Sequence, residues 1–317
     1  MRRCALLTMT LLLIITGHAR ADVHLFSVGD WGIDSPDRQA VADAMAARVT
    51  TDGAAPDAVL LLGDNFYVKL SGIDDPQIQS FFEKTYDPLK LGMPFFAVLG
   101  NHDYKGNDDI TELAYAARGN TRFKLPARWY RLEFPASNPV VTVLMLDSDQ
   151  QAMPDAQWQE ETKWIAAELA KPHAPWLICC AHHDMFGNGS HSDNGVLQTT
   201  WGPLFKKYHV DMYLCGHEHT LQHLEVPDWP ISFVIAGGGG AARKPMLRDN
   251  RGPFSRSVLG FADLHFSSDT MKVELVGAKE NVLHAFERDH SGKVTVTVNT
   301  PSDPATTKPL KVINGGD

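Results

Sequence analysis

Residues 95–104 read FFAVLGNHDY: a run of apolar side chains, one glycine, then Asn101, His102 and Asp103. Unbroken apolar runs of this length belong to strands covered on both faces, as in a parallel sheet flanked by helices. The abrupt polar ending has two readings. Turns favour Gly, Asn and Asp because these residues tolerate unusual backbone angles; alternatively, the strand end delivers functional groups. Four further segments of the same build decide between them. VHLFSVGDWG ends at Asp30, AVLLLGDNFY at Asp64 and Tyr67, WLICCAHHD at His182, and MYLCGHEHT at His217 and His219. Repetition of one pattern at five strand ends points to a shared site.

The segments between these runs have helical character. DRQAVADAMAARV places Val41, Met45 and Val49 on one face, DPQIQSFFEKTYD begins with a cap at Asp75 followed by Pro76, and PDAQWQEETKWIAAELAK aligns Trp158, Thr162, Ile165 and Leu169. Buried strands alternating with amphipathic helices define an α/β layered fold, in which functional groups collect beyond the carboxyl ends of the strands of a sheet. Past Glu225 the rhythm shortens to ISFVIAGGGG, GFADLHFSS, MKVELVGAK and NVLHAFERD, which predicts antiparallel strands completing a second sheet. The glycines 237–240 lack the Lys and Ser/Thr of a phosphate loop and read as a tight turn close to the site.

Bulk properties narrow the function. Arg2 and Arg3 precede an apolar run and Ala19-Arg20-Ala21, the layout of a cleavable secretory signal over residues 1–21. The run from Leu6 to Thr16 is too short for the roughly 20 apolar residues of a membrane span. Export to the periplasm or beyond, without stable membrane association, is the expectation. Loss of Arg2, Arg3 and Arg20 moves the net charge from −9 to −12, and no basic run appears, so nucleic acid is not the expected partner. One catalytic domain over 22–290 and a tail over 291–317 account for the remainder, and a monomer is expected. Cys179, Cys180 and Cys215 lie inside apolar runs and read as buried thiols. A disulfide to Cys215 is the other arrangement, open to only one of the adjacent pair because they face opposite ways.

Gathered together, Asp30, Asp64, Tyr67, Asn101, His182, His217 and His219 form an oxygen and imidazole set without thiolate. Such a set suits divalent or trivalent first-row metals rather than a structural zinc site, and two ions sharing a carboxylate would use all of it. The ordered motifs GDWG (29–32), GDNFY (63–67), GNHD (100–103), the strand-end His182 and GHEH (216–219) resemble those of the calcineurin-like metallophosphoesterases. The match is nearest to the purple acid phosphatases of the small tartrate-resistant type and extends over roughly 23–288.

That resemblance implies a four-layer sandwich of two mixed β-sheets flanked by helices. It implies that Asp30, Asp64, Tyr67 and His219 hold Fe3+, while Asp64, Asn101, His182 and His217 hold a divalent ion (Fe2+, Zn2+ or Mn2+). Asp64 then bridges the two. Hydrolysis of phosphomonoesters at acidic pH by a metal-bound hydroxide would follow, on small phosphate esters or phosphoproteins with a broad substrate range. His102 is implied beside the phosphoryl group, and His191 as a second acid or substrate-binding residue. A phosphodiesterase or nucleotidase with a non-iron or homonuclear metal pair is the alternative on the same scaffold.

Departures from the family pattern also show. Ala181-His182-His183-Asp184 stands where Gly-His-Tyr-Pro is usual, and the segment SDQQAMPDAQ at 148–157 is shorter than the corresponding protease-sensitive loop of animal members. The remaining histidines, His24, His173, His183, His209, His223, His265, His284 and His290, read as surface or packing residues, with His223 near enough to the GHEH turn to support it. Asn188-Gly189-Ser190 matches a glycosylation acceptor.

Overall fold

Strands Ala58–Leu62 and Trp176–Cys180 are buried at every position, as their unbroken apolar runs require. The computed structural model describes residues 22–303 apart from 107, 192, 249, 250 and 280. The expected signal segment and the end of the C-terminal tail lie outside these described residues. In chain order the elements are β1 (Val23–Val28), α1 (Pro36–Asp52), β2 (Ala58–Leu62), α2 (Pro76–Ile78), β3 (Phe95–Val98), α3 (Asp108–Ala116), β4 (Phe123–Lys124), β5 (Tyr130–Phe134), β6 (Val141–Met145), α4 (Asp155–Leu169) and β7 (Trp176–Cys180). They continue with α5 (Gly195–Thr200), α6 (Gly202–Lys207), β8 (Met212–Cys215), β9 (Leu221–Glu225), β10 (Ser232–Ala236), β11 (Phe254–Arg256), β12 (Gly260–Phe266), β13 (Thr270–Gly277), β14 (Val282–Asp289) and β15 (Val294–Asn299).

Two mixed sheets result, one ordered β15-β14-β13-β12-β1-β2-β3-β4 and the other β11-β9-β10-β8-β7-β6-β5. The pleat of the second sheet sorts its side chains. Val143, Met145, Ile178, Cys180, Met212 and Leu214 pack with the first sheet in one core. Their alternates, including Leu144, Cys179, Tyr213 and Cys215, pack with Trp158, Ile165, Leu197 and Phe205 from α4, α5 and α6 in another. On the far side of the first sheet, α1 contributes Val41, Ala42 and Met45 to the core. Helices, sheet, sheet and helices therefore form four layers.

The helix ends follow local chemistry. Ser35 caps α1 by accepting the Arg38 N–H, and Gly53 ends it at a left-handed φ of 69°. Asp75 caps α2, as the sequence predicts, but that helix runs only to Ile78 and opens into a π-helical turn over Gln79–Glu83, burying both Phe81 and Phe82.

Two expectations are corrected. The strands after Gly260 do not build a separate sheet. Instead, β12 pairs antiparallel with β1, and β13, β14 and β15 extend the first sheet outward. Likewise the five polar strand ends do not belong to one sheet edge. Those after β1, β2 and β3 come from the first sheet, and those after β7 and β8 from the second. The start of the expected tail is itself a strand, β15, paired with β14. All three described cysteines are buried and free. Among the described residues, no helix is long and apolar enough to cross a membrane.

Candidate metal centre

Three of the five strand ends turn sharply to present their polar residues. Asp30, Asp64 and His217 adopt left-handed φ values of 59°, 52° and 66°, a region that costs non-glycine residues energy and that concentrates at functional sites. Glycines make room for them. An added Cβ on Gly100 would stand 2.4 Å from Asp64 Oδ1, and one on Gly237 would stand 2.6 Å from Asp30 Oδ2. The glycine run 237–240 thus packs directly under a predicted ligand.

The predicted ligand atoms meet in two adjoining groups. In the first, the Tyr67 hydroxyl lies 3.3 Å from Asp30 Oδ1 and 3.2 Å from His219 Nε2, and the Asp30–His219 separation is 3.4 Å. In the second, His182 Nε2 lies 3.1 Å from Asn101 Oδ1, 3.2 Å from His217 Nδ1 and 3.3 Å from Asp64 Oδ1. Asp64 also clusters with Asp30 and His219, so its carboxylate stands between the groups. Ligands bound at about 2.1 Å to one ion at right angles are roughly 3.0 Å apart, and both groups are close to that spacing.

Tautomers are set from behind. His182 Nδ1 faces the Leu62 carbonyl at 2.8 Å, and His219 Nδ1 faces the Ala242 carbonyl at 2.6 Å. Donation of Nδ1–H to these carbonyls leaves each Nε2 lone pair pointing inward.

The donor set fits a pair of cations. Asp30 and Asp64 are 0% and 2% exposed, and among the described residues no lysine or arginine pairs with either. Two buried carboxylates whose basic neighbours are imidazoles alone are suited to positive charge from bound cations. Tyr67 agrees, because burial, reinforced by Asp30 and Asp64, pushes its phenol well above the usual range. A phenolate at that position needs a strongly charged ion beside it.

His102 packs against the Tyr67 ring with centroids 4.1 Å apart, and its backbone N–H donates to Asp64 Oδ1 at 2.9 Å. Burial lowers its pKa, opposed by Asp64. His191 stacks on His217 at 4.0 Å, with Nδ1 3.1 Å from Glu218 Oε1. A cavity of about 900 Å³ opens beside both histidines' neighbours and is lined by Asn101, Lys105, Asp149, His183, His191 and His217.

Several contributors escaped the sequence reading. His183, expected to be ordinary, lines this cavity 4.5 Å from the His217 ring, with Nδ1 2.9 Å from Ser148 Oγ. His223 points away from the centre, toward His284 in a buried pair. Asp103 accepts the N–H groups of Gly100 and Phe66 at 2.8 and 3.0 Å, clamping the second and third strand ends together. Burial beside Asp64 raises its pKa to about 8. Glu218, wholly buried, holds the loop that carries His191. Both acids stand inside the quoted motifs, Glu218 between two predicted ligands and Asp103 two residues after one, and that position was the available signal. Asn188 is buried and donates to Ser255 Oγ at 3.0 Å, so the folded chain does not present it for glycosylation.

A model of the calcineurin-like phosphoesterase family matches residues 21–221. The chain belongs to the calcineurin-like phosphoesterases. Within them this phosphoesterase is similar to tartrate-resistant acid phosphatase type 5 of Sus scrofa, 32% identical over 237 residues that cover 67% of this chain and 68% of the pig protein. The Homo sapiens counterpart is 28% identical, covering 86% and 94%, and purple acid phosphatase 7 of Arabidopsis thaliana is 27% identical, covering 81% and 83%. In three dimensions the phosphoesterase shares its fold with purple acid phosphatase PPD1 from yellow lupin seeds, at a TM-score of 0.65 and 19% identity, covering 90% of this chain and 57% of the lupin one. GAP50, the anchor in the inner membrane complex of Plasmodium, shares it at a TM-score of 0.74 and 21% identity, covering 90% and 92%. The phosphoesterase is a metal-dependent phosphoester hydrolase of the acid phosphatase kind.

Proposed function

We propose that the protein is an exported purple acid phosphatase that hydrolyses phosphomonoesters of broad type at acidic pH. Its substrates are small phosphate esters or phosphoproteins, and it works as a monomer. Asp30, Asp64, Tyr67 and His219 would hold Fe3+, and Asp64, Asn101, His182 and His217 would hold Fe2+, Zn2+ or Mn2+. Hard anionic oxygens favour the trivalent ion, and the amide and imidazoles favour its softer partner. The observation that carries this reading is the Tyr67 hydroxyl, 3.3 Å from Asp30 and 3.2 Å from His219. Such an ion pair, when bound, acidifies water and offsets charge on the reacting phosphoryl oxygens.

The chain's own residues do the rest. His102, packed on Tyr67, faces the site and gives a proton to the departing alkoxide. His191 stands across from it, tethered to Glu218, and contacts the ester from the other side. Tyr104, Lys105 and Asp149 line the cavity that takes the leaving group.

The visible absorption spectrum of the purified protein tests this, wild type beside Tyr67→Phe. A broad band that colours the wild type purple and disappears in the variant is expected. A colourless wild type that hydrolyses esters and carries two non-iron metals would overturn the iron assignment in favour of the phosphodiesterase or nucleotidase reading.

A further inference from the structure

At the amino end of β1, remote from the polar turn that carries Asp30, a second group of metal-binding side chains has formed. His24 pairs directly with His265 across β1 and β12. Asp263 precedes His265 by two residues and shares its face of the sheet. The two imidazoles stack, with centroids 4.3 Å apart and an interplanar angle of 14°. Both Nε2 atoms converge on one oxygen, Asp263 Oδ1, at 2.8 and 3.0 Å.

The other oxygen of Asp263 has a separate partner. Arg48, from α1, donates Nε–H to Oδ2 at 2.8 Å and reaches Glu274 on the neighbouring strand. Lys272 lies 2.8 Å from Glu274, and the His24 backbone N–H donates to Asp57 at 2.9 Å. Arg48 and Lys272 thus stand against Asp263 Oδ2 and Glu274, and Asp263 Oδ1 is left to the two imidazoles.

We propose that His24 Nε2, His265 Nε2 and Asp263 Oδ1 form a third metal site, for a single zinc or similar borderline divalent ion. All three donor atoms lie within 4.8 Å of one another. Imidazole and carboxylate without thiolate suit Zn2+ and its neighbours in the first transition row, and three protein ligands leave an open position for water. Ligand atoms around one zinc stand about 3.3 Å apart, wider than the 2.8 and 3.0 Å here, so binding requires the imidazoles to spread and turn out of their parallel stack until both Nε2 lone pairs meet at one ion. Arg48 then plays the part of the outer partner that orients a ligating carboxylate. The ion has a way in: the Asp263 side chain is 0% exposed and that of His24 13%, but that of His265 is 37% exposed. From His24 the strand runs on to Val28, roughly 13 Å at about 3.3 Å per residue, before the turn that carries Asp30 begins. The two sites are therefore independent, and the bound ion would pin the first strand of the domain to β12.

The metal-loaded protein, equilibrated with zinc at low-micromolar free concentration and passed through a desalting column, provides the test. Elemental analysis should find one more zinc per wild-type chain than per chain of His265→Ala or His24→Gln, with the iron content equal in all three. Added zinc should raise the thermal midpoint of the wild type and leave both variants unmoved. Equal zinc content in the wild type and in whichever variant keeps a native circular dichroism spectrum overturns the site, as does a wild-type midpoint that zinc does not shift.

Discussion

Glu218 Oε2 accepts the backbone N–H of Ser190 at 2.9 Å, and its other oxygen takes the N–H of His191. One buried carboxylate, flanked in sequence by two predicted metal ligands, therefore ties the loop after β7 to the turn after β8. The fit is close enough that a Cβ on Gly189 would stand 1.8 Å from Oε2. Glu218→Gln keeps the shape but replaces one acceptor oxygen with an amide donor facing an N–H. Charge-assisted hydrogen bonds of this kind contribute about 1.5–3 kcal/mol. Steady-state kinetics on a phosphomonoester should show kcat/KM lower by about tenfold or more, with bound metal unchanged. Full activity in this variant would mean that the loop is held by other contacts.

His102 makes no contact that requires it for metal binding, because its interaction with Asp64 comes from the backbone N–H. His102→Ala should therefore retain both metals while losing activity by the roughly 10²- to 10⁴-fold typical of a general acid. The loss should be largest for alkyl phosphates, whose leaving alkoxide needs a proton, and smallest for a nitrophenyl ester, which departs unaided. A uniform loss across leaving groups would assign His102 to charge stabilisation alone.

A separate titration controls stability. His284 Nε2 lies 2.9 Å from His223 Nδ1 and His284 Nδ1 lies 3.0 Å from Asn299 Oδ1, with both imidazoles buried between the sheets. Burial first, and His223 second, lower the His284 pKa from 6.5 to about 4. A histidine whose folded pKa is depressed binds protons preferentially when unfolded, so its contribution is intact above about pH 6.5 and shrinks as the pH falls toward 4. Thermal midpoints measured between pH 7 and 4 should fall for the wild type and fall less steeply for His284→Gln. Parallel slopes would place the acid sensitivity elsewhere.

Much of this was legible in order along the chain. The predicted ligand positions were found because each interrupts an apolar strand at its carboxyl end, where a buried backbone first reaches polar surroundings. α1 was legible from the helical spacing of Val41, Met45 and Val49, a local pattern. The helix after Asp75 was only half legible. Its cap is a matter of neighbouring residues, whereas the π-helical turn that follows answers to the need to bury both Phe81 and Phe82. His183 could not be distinguished from an ordinary histidine, since its place beside the centre depends on how β7 and β8 lie together. His223 failed for the opposite reason. Closeness in sequence to GHEH does not determine which face of β9 a side chain occupies.

Sequence alone determined the donor chemistry: oxygen and imidazole ligands without thiolate, the strand ends that carry them, and the family they resemble. Those features are written in residue type and short-range spacing. Tertiary structure alone decided that β12 would pair with β1 and that the centre would draw on both sheets. It also decided that His24, Asp263 and His265 would meet although 239 residues separate the first two. Any exposed strand edge satisfies the hydrogen bonds of any other, so the choice of partner is made by which assembly of layers buries the apolar faces, and no local pattern encodes it.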